Sequence, residues 1–352
     1  MRQANFDWKL SETEPSESFL QMIRELKLSP FVGKLLWQRG YHEEKDINRF
    51  LHPKEQELHD PYLMHDMDKA ISRIQEAVIS GEKILVYGDY DADGITSATV
   101  MKETLELLGA EVEVFLPNRF EHGYGPNQSV YQEKIEEGIQ LIITVDNGVA
   151  GNDAVAYAQQ AGVDVIITDH HELPEKLPDA YAIVHPRHPA GQYPFPDLAG
   201  VGVAFKVASA LLEEPPAEFL DLVAIGTIAD LVSLTDENRI LVSLGIDAIH
   251  HSERIGLQAL FEESGVKMRD ADETTIGFSI APRLNAIGRM GDPRPAVSLL
   301  ATFDEEEASI QAKKLNEINE ERKAIVEQIT QEALAMVNKE NHIHLLVNRG
   351  WH

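Results

Sequence analysis

From Lys83 onward, short apolar runs alternate with segments of helical spacing, and this alternation limits the possible folds more than any other feature. The runs include "KILVYG", "EVEVFLP", "QLIITV", "DVIIT" and "AYAIV", and between them lie stretches such as "SATVMKETLELLG" and "NDAVAYAQQAG". Near-continuous apolar runs are typical of parallel strands, because the connecting helices bury both faces of the sheet. The pattern predicts an α/β fold with a doubly wound parallel sheet.

The regions on either side of this segment are predicted to be mainly helical. Residues 1–78 contain short helical stretches, residues 200–250 are mostly helical, and residues 304–340 form a long charged connector helix or a pair of helices. The run "NHIHLLVNRGWH" then has the pattern of a further strand, and the sequence stops there. We expect an N-terminal helical region (1–78), an α/β domain (79–303), a connector helix (304–340) and the truncated start of another domain (341–352).

Composition excludes several classes of protein and of site. The 352 residues include no Cys, which rules out disulfides, thiolate zinc sites and Cys nucleophiles. The polar start has no secretory apolar core, and no run approaches the roughly 18 apolar residues of a membrane span. We therefore expect a cytoplasmic protein. The net charge of −28 argues against a general nucleic-acid binder, but it leaves room for a local basic groove or for bound metal ions.

Acidic residues and histidines follow the apolar runs where the predicted strands end. Strand by strand, they are Asp89, Asp91 and Asp93; Asp146; Asp169, His170 and His171; and His185. The carboxyl ends of parallel strands meet at one edge of a sheet, and alternate residues of an extended segment share a face. Carboxylates with imidazole suit manganese, zinc or iron, and carboxylate-rich sets suit magnesium or manganese. The set is large enough for two ions that share one carboxylate.

Structural alternatives account for single members of this set. "DYDADG" matches the start of a calcium loop, but that loop needs Glu where Val100 stands and a helix where a strand is predicted. Asp146 or Asp169 alone also fits a helix N-cap, and two adjacent histidines alone are a weak signal. Capping does not predict acids and histidines at successive strand ends, so a metal site is the preferred interpretation.

Three motifs in this order and spacing, "GDYDADG", "VDNG" and "DHH", resemble the DHH phosphoesterase superfamily. Further matches are "LAGVGVAFKVASAL" (198–211), "AIGTIADLVSL" (224–234) and "APRLNAIGRMGDPRPAVSLL" (281–300). Together they resemble the RecJ family of single-strand-specific 5′→3′ DNA exonucleases, which act in bacterial recombination and repair. The resemblance covers nearly the whole chain from about residue 30, and it implies that residues 79–303 are a DHH catalytic domain.

The resemblance implies a role for each acid and histidine of these motifs. The ligands of two divalent ions, Mn²⁺ or Mg²⁺, would be Asp91, Asp93, Asp146, His170 and Asp230. Asp146 would bridge the ions, and Asp89 would support the ligand set. Asp169 would orient its neighbouring histidine, and His171 would face the scissile phosphate. Without the resemblance, Asp230 in "GTIADLV" is best interpreted as a structural residue at a helix end.

Three residues of the 281–300 motif are implied to bind the substrate. Arg283, Asn285 and Arg289 lie in what the sequence suggests is a Gly- and Pro-rich loop, and the family motif contacts nucleic-acid phosphates. The planar guanidinium of arginine suits that contact. The structural alternative for these residues is ordinary surface charge.

The sequence departs from the family pattern at three places. Tyr87 stands where many members of the superfamily carry a metal-binding His, so the first ion is expected to be held less tightly. His185 stands where relatives more often have Asn, and its role is open. "RGWH" resembles the opening of the DHH-associated domain, whose remainder is absent, as is the family's oligonucleotide-binding domain. We therefore expect a catalytic-core fragment with a weakened grip on DNA.

The resulting functional prediction is metal-dependent 5′→3′ hydrolysis of single-stranded DNA. The expected partners are single-stranded DNA, a single-strand-binding protein and a helicase, with no membrane. Two alternatives are a short-RNA or cyclic-dinucleotide phosphodiesterase of the same superfamily and a non-catalytic binding module. Phosphodiesterases of that type usually lack the N-terminal helical region and the 198–211 motif, and a non-catalytic module has usually lost metal ligands.

Overall fold

A five-stranded parallel sheet forms the centre of the computed structural model, which describes residues 13–337 and 343–351. The strands are β1 (Lys83–Tyr87), β2 (Glu111–Phe115), β3 (Leu141–Val145), β4 (Asp164–Thr168) and β5 (Ala182–Val184). Their order is β2-β1-β3-β4-β5, and every neighbouring pair is parallel. The strand order reverses at β1, and such a switch point leaves a crevice at the carboxyl ends of the strands. The predicted doubly wound α/β fold is confirmed.

Helices make up most of the remaining described residues, and none of them is long and apolar enough to cross a membrane. In chain order they are α1 (Glu17–Glu25), α2 (Pro30–Gln38), α3 (Glu44–Leu51), α4 (Met67–Ser80), α5 (Ala92–Leu107), α6 (Gln128–Glu136), α7 (Asn152–Gln160), α8 (Gly200–Leu212), α9 (Leu220–Ala229), α10 (Asp236–His251), α11 (Ile255–Ser264), α12 (Glu273–Thr275), α13 (Ala281–Met290), α14 (Arg294–Ala301) and α15 (Glu305–Met336). A short π-helix, Ile276–Ile280, joins α12 to α13.

Helices cover both faces of the sheet, which explains why its strands are apolar at nearly every position. On one face, Leu85, Tyr87 and Ile142 pack with residues of α6 and α7. On the other face, α5 and α8 pack on the strands and on each other, and α4 packs against β5. Because β3 is buried along its whole length, its end is fixed firmly within the crevice.

The chain divides into two compact units, with the division between Leu58 and His59. The smaller unit contains α1, α2 and α3 around a core of Phe19, Ile23, Leu36 and Ile47. The serines that precede α1 and α2 accept hydrogen bonds from backbone N–H groups of the first turns, as N-caps do. The predicted helical region extended to residue 78, whereas α4 belongs to the larger unit.

The C-terminal part of the described chain is one long helix followed by an irregular segment. Asp304 caps α15, which continues without interruption to Met336. The strand predicted within 341–352 is not formed in residues 343–351. A strand requires a neighbour to pair with its backbone, and this segment has none among the described residues. Residues 338–342, which belong to the predicted connector helix and strand, lie outside the described residues.

Candidate metal centre

Six acidic and histidine side chains converge at the crevice beside β1. They are Asp89, Asp91, Asp93, Asp146, His170 and Asp230, and they follow β1, β3, β4 and α9 or belong to the start of α5. The sequence placed the first three on one face of an extended segment. That interpretation is wrong for Asp93, because α5 begins at Ala92 and Asp93 lies in its first turn. Asp91 is the N-cap of α5, and its side chain accepts a hydrogen bond from Gly94 N–H.

The ligand atoms of this cluster, together with those of His171, form three overlapping groups. In each group, one atom from every residue lies within 4.8 Å of the others, and the groups are Asp89–Asp91–Asp146, Asp93–His170–Asp230 and Asp146–His170–His171. Asp146 and His170 each belong to two groups. This overlap is the arrangement required for two ions that share a ligand.

Asp93 is held by the beginning of α8. Its two carboxylate oxygens accept hydrogen bonds from Gly200 N–H at 2.7 Å and from Val201 N–H at 2.8 Å. The unpaired N–H groups at the start of a helix favour a negative charge. The motif at 198–211 therefore contributes to the centre through its backbone, which the sequence reasoning did not foresee.

Asp146 has a left-handed backbone conformation, and the start of α8 packs closely against its side chain. Its φ is +59°, in the left-handed region that non-glycine residues seldom adopt. A Cβ atom on Gly200 would lie 2.3 Å from Asp146 Oδ1, so only glycine fits at the start of α8. Asp146 does not cap α7, whose N-cap is Gly151, so the N-cap interpretation of Asp146 is wrong. Backbone strain of this kind is typical of functional sites.

Two buried atoms in the cluster lack a hydrogen-bond partner among the described residues. These atoms are Asp146 Oδ1 and His170 Nε2, and they lie only 3.1 Å apart. A buried polar atom without a partner is costly, and each case in a native fold requires an explanation. A bound cation would give both atoms a partner.

The carboxylates are also too close to one another to stay ionised without a counter-charge. Burial, with the charge of Asp91, raises the pKa of Asp89 and of Asp93 to about 7. Burial, with the charge of Asp93, raises the pKa of Asp230 to about 7. Burial and three or more neighbouring carboxylates raise the pKa of Asp146 well above its usual range. A bound divalent cation would favour the ionised carboxylates and so lower these pKa values. The donor set therefore fits such an ion.

The two histidines of the "DHH" motif point to different partners. His170 Nε2 faces Asp146, Asp230 and Asp93 at 3.1, 3.7 and 3.8 Å. Burial lowers the pKa of His170, which keeps the ring neutral as a metal ligand must be. His171 Nδ1 instead lies 2.8 Å from Asp169 Oδ1. Burial alone would lower the pKa of His171, but the hydrogen bond and charge of Asp169 outweigh it and raise the pKa to about 9.

Asp169 does not cap a helix but organises the loop after β4. It accepts hydrogen bonds from the N–H groups of Val149, His170 and His171 as well as from the His171 ring. Burial opposes ionisation of Asp169, but these hydrogen bonds and the charge of His171 hold its pKa below the usual value. The orienting role that the resemblance implied for Asp169 stays a prediction, which these contacts support.

Tyr124 is a neighbour of the site that the sequence reasoning missed. Its hydroxyl lies 3.0 Å from His171 Nε2, and its side chain is exposed. It reaches the site from the long irregular connection between β2 and α6, where no periodic pattern marks it. Tyr87, which stands where many superfamily members have His, donates its hydroxyl to the Gly125 carbonyl in the same connection.

The three predicted substrate-binding residues lie on α13 rather than in a loop, and they have different surroundings. Arg283 is only 7% exposed, and its guanidinium donates to Asn316 Oδ1 and to the Ser279 carbonyl. Asn285 Oδ1 accepts from Ala92 N–H at 2.8 Å, so it holds the start of α5. Arg289 is exposed, and its charge acts on Tyr90, the residue between Asp89 and Asp91. Arg289 thus has an exposed side chain, whereas the side chain of Arg283 is directed into the protein.

Comparisons with known proteins agree with the fold. Residues 83–227 match the model of the DHH family, N-terminal domain. The single-stranded-DNA-specific exonuclease RecJ of Bacillus subtilis is 46% identical over 333 residues, which cover 95% of this chain and 42% of that protein. The RecJ of Thermus thermophilus is 33% identical over 360 residues, which cover 98% of this chain and 50% of that protein. The chain therefore spans about half the length of these curated relatives.

Solved structures show the same relationship. A crystal structure of exonuclease RecJ bound to manganese superposes with a TM-score of 0.72 at 36% identity, covering 79% of this chain and 71% of that one. RecJ of Thermus thermophilus in complex with Mn²⁺ gives a TM-score of 0.80 at 31% identity, covering 93% of this chain and 47% of that one. Fold and site thus define a DHH-domain protein with a candidate two-ion centre. More narrowly, the chain belongs to the RecJ family.

Proposed function

We propose that this chain hydrolyses phosphodiester bonds of single-stranded DNA from the 5′ end and requires Mn²⁺ or Mg²⁺. The observation that carries the proposal is the cluster of five carboxylates and His170, in which two buried atoms have no hydrogen-bond partner among the described residues. The named activity and bound ions of the relatives point in the same direction. Because the chain spans about half of those relatives, the activity is proposed for this segment.

The proposed ligands are the residues whose donor atoms meet in the crevice. Asp91 and Asp146 lie in one group with Asp89, and Asp93, His170 and Asp230 form another. Asp146 is the proposed shared ligand. When bound, two divalent ions supply a water of lowered pKa and offset negative charge on the phosphate.

The protein's own residues would position the phosphate and keep the ligands in place. His171 carries a positive charge at neutral pH because Asp169 raises its pKa, so it can donate a hydrogen bond to a non-bridging phosphate oxygen. Asp89, which accepts from Tyr90 N–H, would support the ligand set from the loop after β1. Arg289, the exposed arginine of α13, is the proposed contact to the strand.

The experiment is hydrolysis of single-stranded DNA labelled at the 5′ or the 3′ end, with Mn²⁺, Mg²⁺ or EDTA. We expect metal-dependent release of 5′ mononucleotides, with duplex DNA spared. Asp146→Asn should lower kcat by at least about 1000-fold, since it removes the charge of the shared ligand. Asp179→Asn, an exposed acid after β4, serves as the matched control and should leave kcat unchanged.

Two results would contradict the proposal. An Asp146→Asn variant with near-normal hydrolysis would exclude the shared-ligand centre. Preferential cleavage of di- or trinucleotides in competition with longer DNA would instead favour a short-oligonucleotide phosphodiesterase. A cytoplasmic location and cooperation with a single-strand-binding protein and a helicase complete the proposal, and co-purification from DNA-damaged cells tests these two partners.

A further inference from the structure

His185 is buried directly behind the "DHH" turn, and the function proposed above does not use it. It follows β5, the neighbour of the strand that carries the turn, and its exposed fraction is 0%. Its Nε2 lies 2.8 Å from the carbonyl oxygen of His171, and its Nδ1 lies 3.0 Å from Arg187 N. Both ring nitrogens therefore have partners, and neither partner belongs to a proposed metal ligand.

The chemistry of these two partners fixes the protonation of the ring. Arg187 N–H is a backbone donor, so His185 Nδ1 must accept and carries no proton. The carbonyl of His171 can only accept, so Nε2 must carry the proton and donate. His185 is therefore a neutral Nε2–H tautomer with one acceptor and one donor, both in use. Burial, which lowers its pKa to about 4, keeps the ring neutral.

The turn that His185 touches is anchored at only a few points. At its beginning, Asp169 accepts from the N–H groups of His170 and His171. At its end, the His171 carbonyl is held by His185. Between these anchors the two rings diverge, His170 towards Asp146 and Asp230 and His171 towards Asp169 and Tyr124. Releasing the second anchor would let the backbone of the turn shift as a unit, and the two rings that it carries would shift with it.

We propose that His185 is a positioning residue, whose Nε2–H holds the His171 carbonyl and so fixes the directions of the two "DHH" histidines. The expected changes in kcat and KM rest on the proposed function, whereas the expected tautomer of His185 and the change in Mn²⁺ affinity do not. Groups that hold ligand-bearing loops commonly matter 10- to 100-fold for metal affinity or activity.

A pair of substitutions isolates the single hydrogen bond. The Nε2 of His185→Gln can occupy the place of the imidazole Nε2 and donate to the His171 carbonyl, whereas His185→Leu has similar size and no donor. Both variants lose the acceptor for Arg187 N–H, so the difference between them reports the bond to His171. His250 in α10 provides the matched control, because its Nε2 also bonds a backbone carbonyl, that of Ala271.

The variants are compared by Mn²⁺ affinity, measured by calorimetry on the whole chain, and by kcat and KM on single-stranded DNA. We expect His185→Leu to lower Mn²⁺ affinity and kcat by about 10- to 100-fold, as for other groups that orient ligands, while KM for DNA changes little. His185→Gln should recover both to within a few-fold of the original. The Gln and Leu variants of His250 should not differ in either quantity.

Equal losses in the Gln and Leu variants of His185 would overturn the proposal, since the donor would then be irrelevant. Long-range ¹H–¹⁵N NMR of the unaltered, metal-free protein gives an independent check if His185→Leu does not fold. It should show His185 as the Nε2–H tautomer, and the Nδ1–H tautomer would also overturn the proposal. If the unaltered protein hydrolyses no DNA, the proposed function fails, while Mn²⁺ affinity and the tautomer still decide the role of His185.

Discussion

At the scale of single residues, the candidate centre depends on glycines as well as on charged side chains. A Cβ on Gly200 would overlap Asp146, and a Cβ on Gly226 would lie 2.3 Å from Thr96 Oγ1 and 2.8 Å from Asp93 Oδ1. These glycines are needed because helices α8 and α9 approach the buried carboxylates closely. Glycine is required where a backbone approaches another group so closely that a Cβ atom would not fit.

A Gly200→Ala substitution should therefore damage the metal site. The new methyl group displaces Asp146, so we expect Mn²⁺ affinity to fall by about 10- to 100-fold, as when other supports of a ligand are removed. Gly202→Ala, in the same helix, is the matched control, because its Cβ would meet only the side chain of Leu198 at 3.1 Å. Calorimetric titration with Mn²⁺ decides the outcome. Equal affinities in the two variants would show that Asp146 does not need its present position.

At the scale of elements, α13 carries two arginines that the sequence could not tell apart. Arg283 is buried against α15, where Asn316 accepts one of its hydrogen bonds. Arg289 lies six residues further on and is exposed, and its charge acts on Tyr90 in the loop after β1. The helix thus separates a structural arginine from one that is free to contact a phosphate.

Arg289→Gln should raise KM for single-stranded DNA without changing stability. We expect about a fivefold increase, which corresponds to the loss of one exposed charge contact of ~1 kcal/mol. The dependence of binding on salt should weaken as well, by about 0.7 in the logarithmic slope for one fewer contact to a single strand. Hydrolysis kinetics measures KM, and fluorescence anisotropy at several salt concentrations measures the slope; an unchanged KM and slope would contradict a contact between Arg289 and the strand.

Arg283→Gln is the counterpart on the same helix. It removes buried hydrogen bonds to the Ser279 carbonyl and Asn316, so we expect a loss of about 1–3 kcal/mol in the free energy of unfolding. Urea denaturation measures this loss. A rise in KM with unchanged stability would mean that Arg283 contacts the strand and does not stabilise the packing of α13.

At the scale of the whole molecule, a chain with a net charge of −28 concentrates part of that charge in one buried cluster. Asp93, Asp146 and Asp230 have His170 and His171 as their ion-pair partners among the described residues. Bound cations would offset both the local repulsion and part of the overall charge. The stability of the metal-free chain should accordingly fall as the pH rises and the carboxylates ionise.

The metal-free protein should lose stability as pH rises from about 4 to about 7. In the folded chain the pKa of Asp89, Asp93 and Asp230 is raised from the ordinary 3.8 to about 7. A raised folded-state pKa gives stability that is fully present below the unfolded value and is lost as pH passes the folded value. Thermal unfolding in EDTA at pH 5.5 and pH 8 measures the change in Tm. Asp230→Asn should show a smaller fall in Tm, and an unchanged fall would refute the explanation.

Much of the fold and part of the site could be predicted from the sequence, because strands buried on both faces and the acids after them leave a local pattern. Asp146 and His170 follow strands and were found by position alone, and all five strands of the sheet were recognised. Asp230 follows a helix, so only the family resemblance singled it out. Gly200 and Tyr124 act through contacts distant in sequence, and the burial of Arg283 depends on the packing of α15, which no local pattern reveals.

The most direct test of the account is an anomalous diffraction map of crystals grown with Mn²⁺, recorded at the manganese absorption edge. The account predicts two peaks in the crevice at the ends of β1 and β3, both in contact with Asp146, one of them also with Asp91 and the other with His170 and Asp230. An empty crevice, or peaks only at surface carboxylates, would contradict the claim that these residues form a two-ion centre.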